Sequence, residues 1–241
     1  MILAVLILGQ GLLNAHAHND YEHKRPLFEA LEAGFTSVEA DVFLVDGKLL
    51  VAHDRKNLKP ERSLKSLYLE PLAKVAKSKG HILEGQEFTL MVDIKADGEA
   101  ATRALIREIE PCRSYISTVI PRGIKVVVSG ARSLEVIKRE SFRLLSADGR
   151  PADLDLPADR DIAWVSDNWS NQFKWAGVGS FPEAGRQKLA ELVRKAHQRN
   201  YRLRFWATPE TPIVWDELRK AGVDLIGTDN LGQLSQFLRR R

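Results

Sequence analysis

A single cysteine, Cys112, stands among the 241 residues. It excludes an internal disulfide and any Cys-x-x-Cys or Cys/His metal spacing, and it says little about redox compartment. Beyond the start of the chain, no apolar stretch approaches the roughly 18 residues of a membrane span. Excess charge of one sign is also scarce. Thirty-six Lys and Arg against 32 Asp and Glu leave a net +4, which helps attract an anionic substrate but is too small to argue for nucleic acid. The basic end, Arg239 to Arg241, reads as a solvated helix terminus. No linker or repeat divides the chain, and with 44% hydrophobic residues it can bury a full core, so residues 12–241 read as one domain.

The start, "MILAVLILGQGLLNAHAH", carries an apolar surplus. A strand of about five or six residues is already supplied by Gly11 to His16, leaving Ile2 to Gly9 over. That run has the length of a signal-peptide core and is followed by small or polar Gly9, Gln10 and Gly11, although no Lys or Arg precedes it. Residues 1–11 are expected to be a signal peptide or apolar leader that exports the protein to the periplasm or outside the cell. Uncleaved, the run is a plug under the fold of a cytoplasmic protein.

What fills the rest is an alternation of short apolar, β-branched runs with longer amphipathic stretches. Strands are predicted over Leu12–Ala17, Ser37–Val42, Phe88–Ile94, Ile124–Val128, Arg143–Ser146, Ile162–Val165, Arg202–Trp206 and Leu225–Gly227. Helices are predicted over Pro26–Ala33, Leu64–Ser78, Glu99–Glu110, Ser133–Glu140, Gly185–Arg199, Pro212–Ala221 and Leu231–Arg239. Eight strands with intervening helices make an α/β fold, a (β/α)8 TIM barrel. The fifth and sixth strands are joined by a Pro- and Asp-rich loop without a clear helix. In "VFLVDGKLLVAHD", Asp46-Gly47 between apolar runs signals a two-residue hairpin, so the second strand is expected to continue into a β-hairpin that brings His53 over the barrel mouth.

In such a barrel the reactive groups belong at the carboxyl ends of the strands. "NAHAHNDYEHKRP" places His16 and His18 two apart, hence on one face of the first strand, with His18 just past its end and His23 in the loop beyond. "SVEADV" ends the second strand with Glu39 and Asp41 on one face, and "LMVDIK" repeats that spacing with Asp93 and Lys95 on the third. Three carboxylates converging on an apolar interior repel one another and must take up protons or gain a cation. A hard divalent ion, magnesium or calcium, resolves the conflict and leaves positions open for substrate oxygens. His18 and His53, flanking such an ion, suit a general base and a general acid. Lys95 either meets a phosphate oxygen or pairs with Asp93 or Glu39.

The order His18, Glu39-x-Asp41, His53-Asp54, Asp93-x-Lys95 resembles the glycerophosphodiester phosphodiesterase and phosphatidylinositol phospholipase C-like superfamily. "EADV" and its spacing are also similar to the sphingomyelinase D branch. The stretch from His16 to Asp54 most closely resembles the altered inheritance of mitochondria protein 6-like subfamily. "RFWATPE", with Trp206, and "AGVDLIGTDNL" extend the likeness through most of the chain. The resemblance implies metal ligands Glu39, Asp41 and Asp93, catalytic His18 and His53, and substrate contacts from Lys95, Asn19 and Trp206. It also implies a small or lipid phosphodiester as substrate, transient contact with a membrane surface, and a monomer. Two departures concern the substrate: Asn19 stands where the phosphodiesterases usually follow the histidine with arginine, and "RPLFEAL" replaces their "PENT" stretch.

Two other readings compete. His16-x-His18 is also a transition-metal spacing, which points to an amidohydrolase-like hydrolase with Asp229 as base. That reading needs further histidines at later strand ends, and only His81 and His197 remain. A non-catalytic phospholipid-binding barrel is the other, with Trp164, Trp169 and Trp175 as an aromatic rim for acyl chains or simply as packing.

Overall fold

The computed structural model describes residues 11–240, and the leader expected over Ile2–Gly9 lies outside the described residues. The chain runs β1 (Leu12–Ala17), α1 (Phe28–Ala33), β2 (Phe35–Val45), β3 (Lys48–Val51), α2 (Glu70–Lys79), β4 (Phe88–Ile94), α3 (Gly98–Glu108), β5 (Ile124–Gly130) and α4 (Leu134–Arg139). It continues through β6 (Leu145–Gly149), β7 (Ile162–Asn168), α5 (Trp169–Gln172), α6 (Glu183–His197), β8 (Arg202–Trp206), α7 (Pro212–Ala221), β9 (Leu225–Thr228) and α8 (Leu231–Arg239). The strands pair in the order β1, β9, β8, β7, β6, β5, β4, β2, and a β1–β2 pairing closes the ring. All eight are parallel, and β3 alone is antiparallel, paired to β2. This is the (β/α)8 TIM barrel, with a β-hairpin after its second barrel strand. The hairpin turns at Asp46 (φ 48°) and Gly47 (φ 78°), the two positive φ values that a tight two-residue turn matched to strand twist demands.

Among the strands whose boundaries differ from expectation, two matter to the site. The fifth barrel strand is Leu145–Gly149 rather than Arg143–Ser146. Arg143 has φ 53°, outside strand geometry, because the Glu140 carboxylate curls the chain by accepting from the N–H groups of Phe142 and Leu144 at 2.9 and 2.7 Å. The shift puts Asp148 on the strand. The sixth runs to Asn168 instead of Val165, which puts Ser166 on it as well. The Pro- and Asp-rich segment between them holds only a 3-10 turn, Pro151–Asp155.

A large apolar layer packs between the strands and the helix ring, while Met91, Val127, Trp164 and Leu225 form a separate cluster. Trp164, Trp169 and Trp175 are all buried. Trp169 packs against Phe173, Phe181 and Phe205, and its Nε1 donates to the Trp175 carbonyl at 2.8 Å. The reading of these tryptophans as an exposed rim for acyl chains is thereby corrected: apolar packing outcompetes it. No helix among the described residues is long and apolar enough to cross a membrane.

Candidate active site

Glu39, Asp41 and Asp93 meet where the pairing of β2 with β4 ends, before β2 runs on into the hairpin. Asp41 and Asp93 are direct neighbours in register, and each of the three offers an oxygen within 4.8 Å of the others. Gly130 makes room for them. It sits at φ 66°, and a Cβ there would collide with the Asp93 carboxylate and the Ile94 carbonyl, so only glycine lets β5 end so close. Burial, added to by the charges of Glu39 and Asp41 and opposed by Lys95, pushes the Asp93 carboxyl up to about 6. Glu39 goes the other way. Its burial is outweighed by the Arg204 guanidinium at 2.5 Å and by His16 at 3.0 Å, which hold it well below the usual carboxylate range.

Lys95 reaches into the same group, 2.9 Å from Asp41 Oδ2 and 3.6 Å from Asp93 Oδ1. Burial acts against its charge, but the Asp93 and Asp41 carboxylates outweigh it and raise the ammonium above its ordinary range. Three donors therefore crowd Asp41 Oδ2: Lys95 Nζ, Tyr21 Oη at 2.7 Å and His53 Nδ1 at 3.0 Å. Asp41 Oδ1, equally buried, has no partner. A buried carboxylate oxygen without a donor, within reach of two other carboxylates, fits a hard divalent cation.

His18 stands just past β1, where Asn19 turns the chain at φ 47°, ψ 35°. That left-handed corner is one that asparagine tolerates. His18 Nδ1 lies 2.8 Å from Asp229 Oδ1, leaving Nε2 as its other ring nitrogen. Burial disfavours the imidazolium, yet Asp229 and Glu39 prevail and raise His18 above the ordinary histidine range. Asp229 is itself held, since the Glu210 carboxylate accepts from its N–H at 3.0 Å and from the Thr228 hydroxyl. The hairpin brings His53 to Asp41 with its side chain 60% exposed, so its other nitrogen faces solvent. Buried Tyr21 joins the two histidines: its hydroxyl is 2.7 Å from both Asn19 Oδ1 and Asp41 Oδ2, and Asn19 Nδ2 lies 3.0 Å from His18 Nδ1. The single Tyr21 hydroxyl proton serves either Asp41 Oδ2 or the Asn19 amide oxygen. Trp206 is 43% exposed and lines a cavity of about 120 Å³ together with His18, Glu210 and Asp229.

The structure separates His16 from His18. His16 is fully buried, with Nδ1 2.8 Å from Ser37 Oγ and Nε2 3.0 Å from Glu39 Oε2. Burial and the Arg204 charge lower it to about 4, so it is neutral at physiological pH. Both of its nitrogens being engaged, the His-x-His pair is not a shared metal clamp. His81 lies in the loop entering β4 and His197 ends α6 ahead of β8, at the opposite end of the barrel from the carboxylates, so the further histidines that the amidohydrolase reading needs are absent there.

Tyr21 and Arg204 are members of the site that sequence reasoning missed. Arg204 carried a signal, since two residues before Trp206 on a strand it shares that face. Tyr21, in a loop, carried none.

A family model described as the AIM6-like phosphodiesterase domain matches residues 11–145, the part of the chain that holds seven of the eight expected site residues. The chain belongs to this family. As a member of the AIM6-like phosphodiesterase family it is a phosphoric diester hydrolase. It is 28% identical over 264 residues to an altered inheritance of mitochondria protein 6 homolog of Arthroderma benhamiae, covering 90% of this chain and 81% of that one. The match to altered inheritance of mitochondria protein 6 of Eremothecium gossypii is 28% over 270 residues, 94% of this chain and 69% of that one. Among solved structures, a glycerophosphodiester phosphodiesterase from Agrobacterium tumefaciens superimposes with a TM-score of 0.56 at 12% identity, over 93% of this chain and 98% of that one. A calcium-dependent phosphoinositol-specific phospholipase C from Pseudomonas sp. does so with a TM-score of 0.56 at 10% identity, over 93% and 92%. At such identities these two establish that the AIM6-like phosphodiesterase domain shares their barrel fold.

Proposed function

We propose that this domain cleaves glycerophosphodiesters or (lyso)phospholipid head groups, with one Mg2+ or Ca2+ held by Glu39, Asp41 and Asp93. The unpartnered, buried Asp41 oxygen amid three carboxylates carries the reading. The calcium dependence named for the phospholipase C neighbour supports calcium as one of the two candidate ions. When bound, such an ion supplies charge neutralisation at the phosphoryl oxygens. His18 takes the proton of the attacking hydroxyl, from water or from the substrate itself, on Nε2 while Nδ1 stays on Asp229. His53 protonates the leaving oxygen while Asp41 holds its Nδ1. If a cyclic diester forms, the two exchange roles in the second step, and positioned proton transfer of this kind contributes about 10²- to 10⁴-fold. Lys95 offers its charge to a phosphoryl oxygen, and Asn19 and Trp206 line the substrate. A monomer in transient contact with a membrane surface, exported through the apolar run Ile2 to Gly9, completes the proposal.

A panel of glycerophosphodiesters and lysophospholipids, assayed with magnesium, calcium or EDTA, tests it. Cleavage of at least one diester that EDTA abolishes and added metal restores is the expected result. Absence of any chelator-sensitive cleavage overturns the proposal.

A further inference from the structure

On the β5–β6 side of the mouth lies a second cluster that this mechanism does not use. Asp93 and Ser129 are in-register neighbours on β4 and β5, and the cluster continues from there. Asp148, fully buried, accepts from the hydroxyls of Ser129 and Ser166, both at 2.6 Å, and from Arg150 Nη1 at 2.8 Å. These side chains face the barrel interior, because Ser166 is in register with Arg204 on β8, and Arg204 crosses the interior to Glu39. Arg150 follows β6 directly and Arg132 follows β5 by two residues. Both therefore stand at the carboxyl end of the barrel, Arg132 past the strand next to Asp93's β4 and Arg150 past the one beyond it.

We propose that Arg132 and Arg150 form a second anion-binding subsite, selecting diesters whose head group carries a carboxylate or phosphate monoester besides the scissile phosphate. The inference extends the phosphodiesterase reading and rests on it. Arg150 is anchored by Asp148 and by the Asp148 and Gly149 carbonyls, yet its side chain stays 40% exposed. Among the described residues, Arg132 bonds the Gly130 carbonyl at 3.2 Å and pairs with no carboxylate within 4.0 Å. Asp153, the nearby acid of the loop, is engaged by the Arg150 N–H at 2.7 Å. Arg132 Nε and Asp148 Oδ1 are buried without partners. Burial and the neighbouring Arg150 charge lower the Arg132 pKa against the opposing charges of Asp148, Asp153 and Asp93, none of which pairs with it directly. A planar guanidinium fork matches a carboxylate or phosphate with two parallel hydrogen bonds. Neighbouring strands are about 4.8 Å apart, so this rim lies on the order of 5–10 Å from the Asp93 rim, roughly a scissile phosphate to a head-group acid.

Calorimetry with O-phosphoserine and O-phosphoethanolamine, in magnesium buffer, isolates the subsite, because the two probes differ by one carboxylate and neither is a diester that the enzyme can cleave. O-Phosphoserine is expected to bind about tenfold more tightly, the value of roughly one charge-assisted hydrogen bond. Arg132→Gln should erase that preference, Arg132→Lys should keep part of it, and Arg160→Gln, an exposed charge control, should keep all of it. Equal affinities in the unmodified protein, a preference surviving in Arg132→Gln, an equal loss in Arg160→Gln, or no binding of either probe overturns the subsite. Glycerophosphoserine and glycerophosphoethanolamine turnover separates the two readings. Chelator-sensitive cleavage with no carboxylate preference overturns the subsite alone; carboxylate-selective binding without cleavage of any diester supports the subsite and overturns the phosphodiesterase chemistry.

Discussion

Glu39 on β2 and Asp148 on β6 are both buried carboxylates in one barrel, 4% and 0% exposed, and their surroundings differ in kind. Asp148 has no part in the carboxylate cluster: two serine hydroxyls and one guanidinium converge on one of its oxygens, and the other is buried without a partner. Glu39 also has a guanidinium and a histidine, but two more carboxylates lie within 4.8 Å of it. An isolated acid whose charge is met by a guanidinium and two hydroxyls is a stable structural element. Three crowded acids, two of them sharing one lysine, remain short of positive charge, and that shortage is what a substrate-binding cation relieves.

The largest test of this contrast is catalytic. His18→Ala should lower turnover by about 10²- to 10⁴-fold while magnesium affinity, read by calorimetry, stays nearly intact, because proton transfer acts in the transition state. His16→Ala, which removes a neutral hydrogen-bonding support of Glu39, should lose only part of the activity or stability, and His23→Ala should be the most tolerant of the three. Equal and complete loss in His16→Ala and His18→Ala, with metal lost in both, would show the pair to be a metal clamp.

The next exchanges the two walls. Glu39→Gln and Asp93→Asn each remove a charge while keeping shape and should weaken magnesium binding about tenfold or more, with Asp148→Asn leaving it unchanged. Asp148→Ala, by contrast, should cost about 2–3 kcal/mol in urea unfolding, since two hydroxyls lose their acceptor and a half-exposed Arg150 loses its anchor. A metal-binding defect in Asp148→Asn as large as that in Asp93→Asn would erase the distinction between the walls.

The smallest effect comes from a third buried carboxylate. Asp20 resembles Asp148 in accepting from neutral donors, the Leu27 N–H at 2.6 Å and the Tyr68 hydroxyl at 2.8 Å, but no guanidinium among the described residues pairs with it. Burial, against those two hydrogen bonds, pushes it up to about 6. A carboxyl raised on folding contributes stability that is fully present below the unfolded value near 4 and is lost as pH rises through the folded value near 6. Asp20→Asn, neutral at every pH, should lack that loss. The stability difference between Asp20→Asn and the unmodified protein should therefore shift by about 2 kcal/mol in favour of the variant between pH 4 and pH 7, measured by urea unfolding at each pH. A flat difference would mean that Asp20 is ionised throughout.

The barrel was legible because its causes are local and repeated. Period-2 apolar runs, amphipathic helices and the Asp46-Gly47 turn each specify an element without reference to the rest, and the E-x-D and D-x-K spacings placed Glu39, Asp41, Asp93 and Lys95 on inward faces by alternation alone. The strand containing Asp148 was read two residues early because a side-chain acceptor, Glu140, bends the chain ahead of it, and no periodicity records that. Tyr21, Arg132 and Arg150 were likewise out of reach, and Arg204 was marked only by sharing a strand face with Trp206. Tyr21 and Arg204 owe their places to contacts with distant strands, Arg204 meeting Glu39 over 165 residues of sequence, and such contacts exist only after the strands assemble, as does the neighbourhood that Arg132 and Arg150 share. Sequence by itself determined which side chains point inward, since alternation is a property of a single strand. Tertiary structure decided which inward charges are compensated and which are left without a partner, since compensation depends on distance between strands that are far apart in the chain.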